Sequence, residues 1–195
     1  RSLKYWSMKK NSIIMTLLIF SMLLSCTGNN KPVPKPPTYL AIDFPAREYA
    51  TYKDSCNYLY EKPSYFKVKT VANSPCNRDI VFDQLDGTLH LSVIDMDTSL
   101  AAYVNYAIDK VGEHKVKATA ILDTSIIRED DRVFGTFFEL QGNVASPFQF
   151  YVTDSTDRFI SGVVYFNTRP NYDSLLPSLN FVKSDLLKFM ESVDW

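Results

Sequence analysis

Apolar positions recur along the chain with two periods, and the switches between them predict strands and two helices. Tyr39 to Phe44 alternates and stops at Pro45, which predicts an edge strand. Tyr58–Glu61 and Tyr65–Val71 flank the turn residues Lys62-Pro63-Ser64. Asp79–Phe82 and Thr88–Ile94 flank Leu85-Asp86-Gly87, a hairpin turn. Lys115–Ile127 places Val116, Ala118, Ala120 and Leu122 on one face of a strand. Val133–Leu140, Phe148–Val152 and Phe159–Phe166 are apolar on both faces and belong in the middle of a sheet. Asp154-Ser155-Thr156-Asp157 joins the last two, since Asp and Ser side chains bond nearby backbone groups in tight loops.

Helical spacing appears twice. Leu100, Val104, Ile108 and Val111 form a stripe after the capping candidates Asp97-Thr98, and Gly112 ends it. Leu175, Leu179, Val182, Leu186, Phe189 and Val193 form a longer stripe after Asp173-Ser174. Its Pro177 is tolerated only in a first turn, so the helix is expected to begin just before it. Strands, a helix, a four-strand meander and a final helix define an α+β fold: a largely antiparallel sheet with helices packed on it. It is expected as one domain over residues 38–195, with no internal repeat.

The first 37 residues follow neither period. Met8-Lys9-Lys10-Asn11 opens a basic start, and translation is expected to begin at Met8. The mostly apolar run Ile13–Leu24 is short for a spanning helix, which needs roughly 20 residues, and suits a signal peptide over residues 1–25. Leu23-Leu24-Ser25-Cys26 ends it in the order of a bacterial lipobox, which makes Cys26 the expected lipid attachment site. Residues 26–37 hold four Pro and no apolar pattern. They read as an extended tether that reaches up to roughly 35–40 Å from a bilayer.

Charge changes the picture once this leader is set aside. Of 21 basic and 22 acidic residues, residues 1–25 hold four basic and no acidic ones, so 17 against 22 remain and the rest is acidic by about five charges. There is no basic footprint for nucleic acid. Two His, three Cys and six Gly leave little material for a metal centre or a Gly-rich phosphate loop, so no metal, cofactor or catalytic residue is expected. His90 sits inside an alternating strand and His114 at a helix end, and neither has a Ser or Cys partner in the pattern. Cys56 and Cys76 would face an oxidising compartment, where a bridge closing about 20 residues would contribute about 3 kcal/mol. Two unpaired thiols are the alternative.

Two uncharged polar stretches stand beside the aromatic meander. Gln141–Phe150 contains Asn143, Ser146 and Gln149, and Asn167–Ser174 contains Asn171, Tyr172 and Asp173. Neutral amides among aromatics suit a partner-binding surface, because they hydrogen-bond without a large desolvation cost. The same residue types are also what turns require.

Asn143-Val144-Ala145-Ser146, Gln149 to Thr156, and Tyr165-Phe166-Asn167-Thr168-Arg169-Pro170-Asn171-Tyr172-Asp173-Ser174-Leu175 carry a resemblance. With the lipobox, the Pro-Lys-Pro-Pro-Thr-Tyr run at 34–39 and the closing Trp195, the chain resembles the gliding motility lipoproteins of the GldD family. The element order also resembles Mog1/PsbP-like sandwiches. The GldD resemblance implies a non-enzymatic outer-membrane lipoprotein of Bacteroidota, a structural or assembly component acting with type IX secretion and gliding envelope proteins. Thr27-Gly28-Asn29-Asn30 lacks the acidic residues that usually follow the lipidated Cys of surface-exported lipoproteins in this phylum, which favours the periplasmic face. The alternative is a periplasmic module binding a small ligand or lipid in a cavity beside the sheet, lined by Tyr and Phe.

Overall fold

A computed structural model describes residues 43–195. The signal peptide, Cys26, the Pro-rich tether and the first four residues of the strand expected over Tyr39–Phe44 lie outside the described residues. Asp43 and Phe44 are irregular.

Nine strands and two helices follow in order. They are β1 (Tyr49–Lys53), β2 (Leu59–Pro63), β3 (Lys67–Val71), β4 (Ser74–Phe82), β5 (Gly87–Asp95), α1 (Leu100–Gly112), β6 (Ala118–Arg128), β7 (Val133–Gly142), β8 (Phe148–Thr153), β9 (Arg158–Phe166) and α2 (Tyr172–Glu191). β3 to β9 form one antiparallel sheet in the order β3-β4-β5-β9-β8-β7-β6, and β1 and β2 form a separate hairpin. The fold is α+β, and the consecutive strands β6 to β9 make the expected meander.

The doubly apolar strands β7, β8 and β9 are all interior. One face of the sheet packs on α2 and on the β1–β2 hairpin. Leu179, Val182, Leu186 and Phe189 are buried there against Phe137, Phe150, Val164 and Tyr60. Fully burying each such side chain contributes about 1.5–3 kcal/mol. Gly162 is needed at one point: it pairs with Phe150 across β8–β9, and a Cβ there would lie 2.2 Å from the Phe150 ring. Its missing side chain lets that ring lie over the strand and meet Phe189, 5.8 Å between centroids.

The structure corrects several local expectations. Asn171 caps α2, accepting from the Ser174 N–H at 3.4 Å, so Pro177 falls in the second turn. Its missing N–H removes one bond there, and the packed apolar face holds the helix regardless. Ser99, not Asp97-Thr98, precedes α1 and makes no side-chain cap bond. Asp97 instead accepts the Tyr103 hydroxyl at 2.5 Å. Val116 is 95% exposed because it falls in the turn between α1 and β6 and not in the strand, and Leu122 is 48% exposed because β6 is the outermost strand and little covers it.

Candidate functional site

The two amide-bearing loops meet. The loop after β7 lies against the loop before α2, and the Asn143 Oδ1 accepts the Tyr172 N–H at 3.0 Å. Asn143, Asn171 and Asp173 are exposed and Tyr172 is half-buried. Burial raises the Tyr172 phenol above its ordinary range, and nearby Glu139 and Asp173 add to this. The crevice between the loops holds only about 10 Å³, room for little more than a water. Both amides therefore fasten the start of α2. Ser146 is fully buried, donates to the Phe148 carbonyl at 3.2 Å, and does not reach that surface. Gln149 is 5% exposed and points to the opposite face of the sheet, under α1.

That opposite face is covered incompletely. Of the α1 stripe only Val111 is buried, and Ile108 is 47% exposed. Between α1 and strands β5, β9, β8 and β7 lies a cavity of about 470 Å³. Tyr106, Tyr165, Phe138, Val163, Ser92, Ser161, Gln149 and His114 are among its lining residues.

Two buried polar clusters carry no periodic signal in the sequence. Arg78 places Nε and Nη2 on the two carboxylate oxygens of Asp54, each at 2.7 Å, with both side chains buried. Its Nη1 donates to the carbonyls of Pro75 and Asn77 at 2.6 and 2.8 Å. Asp54 also accepts the Cys56 N–H at 2.9 Å, and Cys56 is disulfide-bonded to Cys76. The second cluster surrounds Asp185, fully buried on α2. The hydroxyls of Tyr49 and Tyr65 each donate to one of its oxygens, and Arg47 Nε lies 3.2 Å away. Arg47 also donates to the Phe181 carbonyl and caps the Phe181 ring at 4.0 Å. Burial first, then the bond to Asp185, pushes the Tyr49 phenol up to about 12, and Tyr65 moves the same way.

His90 Nδ1 bonds Asp79 at 2.6 Å on an exposed part of the sheet, its ring 5.7 Å from that of Tyr165. No group of three or more His, Cys, Asp or Glu side chains is placed to hold a metal ion among the described residues. No helix among them is long and apolar enough to cross a membrane.

The free edge of the sheet is the remaining feature. β6 runs for eleven residues, and its flank away from β7 has no strand partner among the described residues. From Ala118 to Ile127 it carries one charge, Asp123, and no Pro. The opposite edge, β3, is five residues long and carries Lys67 and Lys69. Strand edges are normally guarded by shortness, Lys or Pro; β3 is so guarded and β6 is not.

These features define a sheet-and-helix module with a cleft on one face and an open edge, without a recognisable catalytic constellation among the described residues. The family model described as "Gliding motility lipoprotein GldD" matches residues 29–195, and the chain belongs to that family. It is thus a gliding motility lipoprotein by family, and a family of lipoproteins implies membrane anchoring. No curated protein matches the chain.

Proposed function

We propose that this chain is a non-enzymatic outer-membrane lipoprotein, anchored through a lipid on Cys26 and held off the bilayer by residues 26–37, facing the periplasm. It acts with gliding and type IX secretion envelope proteins as a structural or assembly component. Family membership over residues 29–195 carries this reading. Its contact surface is the β6 edge, where an extended segment of a partner adds a strand: main-chain bonds supply affinity, and Leu122 and Ile127 supply apolar contact. The exposed amides Asn143 and Asn171, with Tyr172 and Asp173, form a second, smaller polar contact.

Deletion of the gene tests the role. Loss of colony spreading and of type IX cargo from the medium is the expected outcome, restored by the wild-type chain and not by Cys26→Ala, which fractionates away from the outer membrane. Normal gliding and secretion in the deletion strain would end this reading.

A further inference from the structure

The cleft under α1 is built from small polar side chains on the strands and aromatic ones around them. Register sets Ser92 of β5 opposite Ser161 of β9, and their short side chains give the cleft its depth. One row further, Gln149 of β8 stands between Val163 of β9 and Phe138 of β7. Gln149 is 5% exposed, yet its amide has no hydrogen-bond partner among the described residues while lining the cleft. The Gln149 amide is not among the buried unpaired polar atoms, so it reaches the open space of the cleft, where a ligand's polar edge can take the place of water. The volume of about 470 Å³ falls within the roughly 300–1,000 Å³ of small-molecule sites.

The lining narrows the ligand class. Its one ammonium, Lys110, is paired with its one carboxylate, Glu113, at 2.8 Å on the rim. The lining's other ionisable side chain is the imidazole of His114, which can donate to or accept from a neutral hydroxyl, so no unpaired ammonium or carboxylate faces the cleft. An aliphatic chain would bury the floor of Ser92, Ser161 and Gln149 without hydrogen bonds. What remains is an uncharged molecule with hydroxyl or amide groups on its edge and an apolar C–H face. Such a face stacks on aromatic planes, here Tyr106 of α1, Tyr165 of β9 and Phe138.

We propose that this cleft is a binding site for a neutral saccharide of one or two rings. Gln149, Ser92 and Ser161 bond its hydroxyl or acetamido groups, and Tyr106 and Tyr165 flank the ring. The site is independent of the assembly role argued from the family, and each can fail alone.

The test uses the full lipoprotein in a detergent without a sugar head. Saturation-transfer NMR with chitotriose and with cellotriose reads free saccharide, and co-sedimentation with peptidoglycan sacculi reads the polymer-bound form. The expected result is saturable binding in at least one arm. It should weaken about tenfold in Gln149→Leu, the size of one lost hydrogen bond. A similar loss is expected in Tyr106→Ala, whose side chain is 63% exposed and whose removal leaves the core intact. The paired change Lys110→Gln with Glu113→Gln should leave binding unchanged. Absence of binding in both arms, binding indifferent to Gln149→Leu and Tyr106→Ala, loss of binding in the neutral-rim variant, or saturable uptake of palmitate in place of sugar would each overturn the proposal.

Discussion

Arg78 uses every face of its guanidinium, and no other side chain can replace it. Two nitrogens grip Asp54 in a bidentate pair and a third holds two carbonyls beside the disulfide. A lysine offers a point charge without that fork. Arg78→Ala leaves Asp54 buried and unpaired, and urea unfolding is expected to show a loss of about 3–5 kcal/mol. Arg78→Lys should recover only part of it. The Asp185 cluster makes a different prediction, in pH. Tyr49 is pushed up to about 12, by burial first and then by its bond to Asp185, and Tyr65 moves in the same direction. A group raised above its unfolded value adds stability below that value and loses it as pH climbs through the folded one. The urea midpoint should therefore fall between about pH 10 and 12, and fall less steeply in Tyr49→Phe with Tyr65→Phe. A profile identical to wild type would remove these phenols from the account of alkaline stability. Asp154 shows the opposite case. Burial tends to raise its carboxyl, but the N–H groups of Arg158, Thr156 and Asp157 outweigh this and hold it below the usual range.

At the scale of elements, the unguarded β6 makes the clearest demand. Leu122→Lys with Ile127→Lys places charge on two positions already 48% and 66% exposed. Surface changes of this kind shift stability by about 0.5 kcal/mol or less, whereas a Lys pair on a free edge opposes strand addition. The expected outcome in cells is a folded lipoprotein that no longer crosslinks to the proposed envelope partner. Retained crosslinking would move the contact elsewhere. The same edge explains where sequence pattern misleads. Ala118, Ala120 and Leu122 alternate as a buried face does, but alternation reports a strand's period and not whether another layer covers it, and Val116, in step with them, lies in the turn before the strand. The meander, the β4–β5 hairpin and α2 were legible because their periods continue into covered faces. β1 was not, because Tyr49 and Tyr52 stand three apart and both are only half-buried. Arg78 and Asp185 carry no sequence signal, since a single buried ion leaves no period. The amides of Asn143 and Asn171 were conspicuous as polar residues among aromatics, and their carbonyl oxygens serve the backbone at the start of α2. A cavity beside the sheet lined by Tyr and Phe is the sequence's alternative reading, but its place under α1 is not legible, because the α1 stripe has helical spacing whether the helix lies flat on the sheet or stands off it.

The whole molecule is organised around how its N-terminal side is fastened. Residues preceding β1 attach covalently to the two-stranded hairpin, not to the seven-stranded sheet. Besides Arg78 on Asp54, three of the fastenings that join that hairpin to the rest stand out. Arg47, Tyr49 and Tyr65 hold Asp185 of α2, and Leu59 bridges Asp194 at the C-terminal end. The third is the Cys56–Cys76 disulfide, which ties the β1–β2 turn to β4 across 20 residues. Closing a loop of that length contributes about 3 kcal/mol, mainly by restricting the unfolded chain. A lipid on Cys26, as proposed, would bring any pull between membrane and partner into the protein through β1, so this bond lies in the load path. Cys56→Ser with Cys76→Ser should lower the stability measured in urea by about 3 kcal/mol. Because Asp54 binds both the Cys56 N–H and Arg78, the loss should not add simply to that of Arg78→Ala. Pulling in an optical trap from the N-terminus separates the two contributions. The hairpin of the double Ser variant should detach in a distinct early step at low force, and the oxidised wild type should unfold without it. An early step of equal force in both would show that the disulfide does not carry the load.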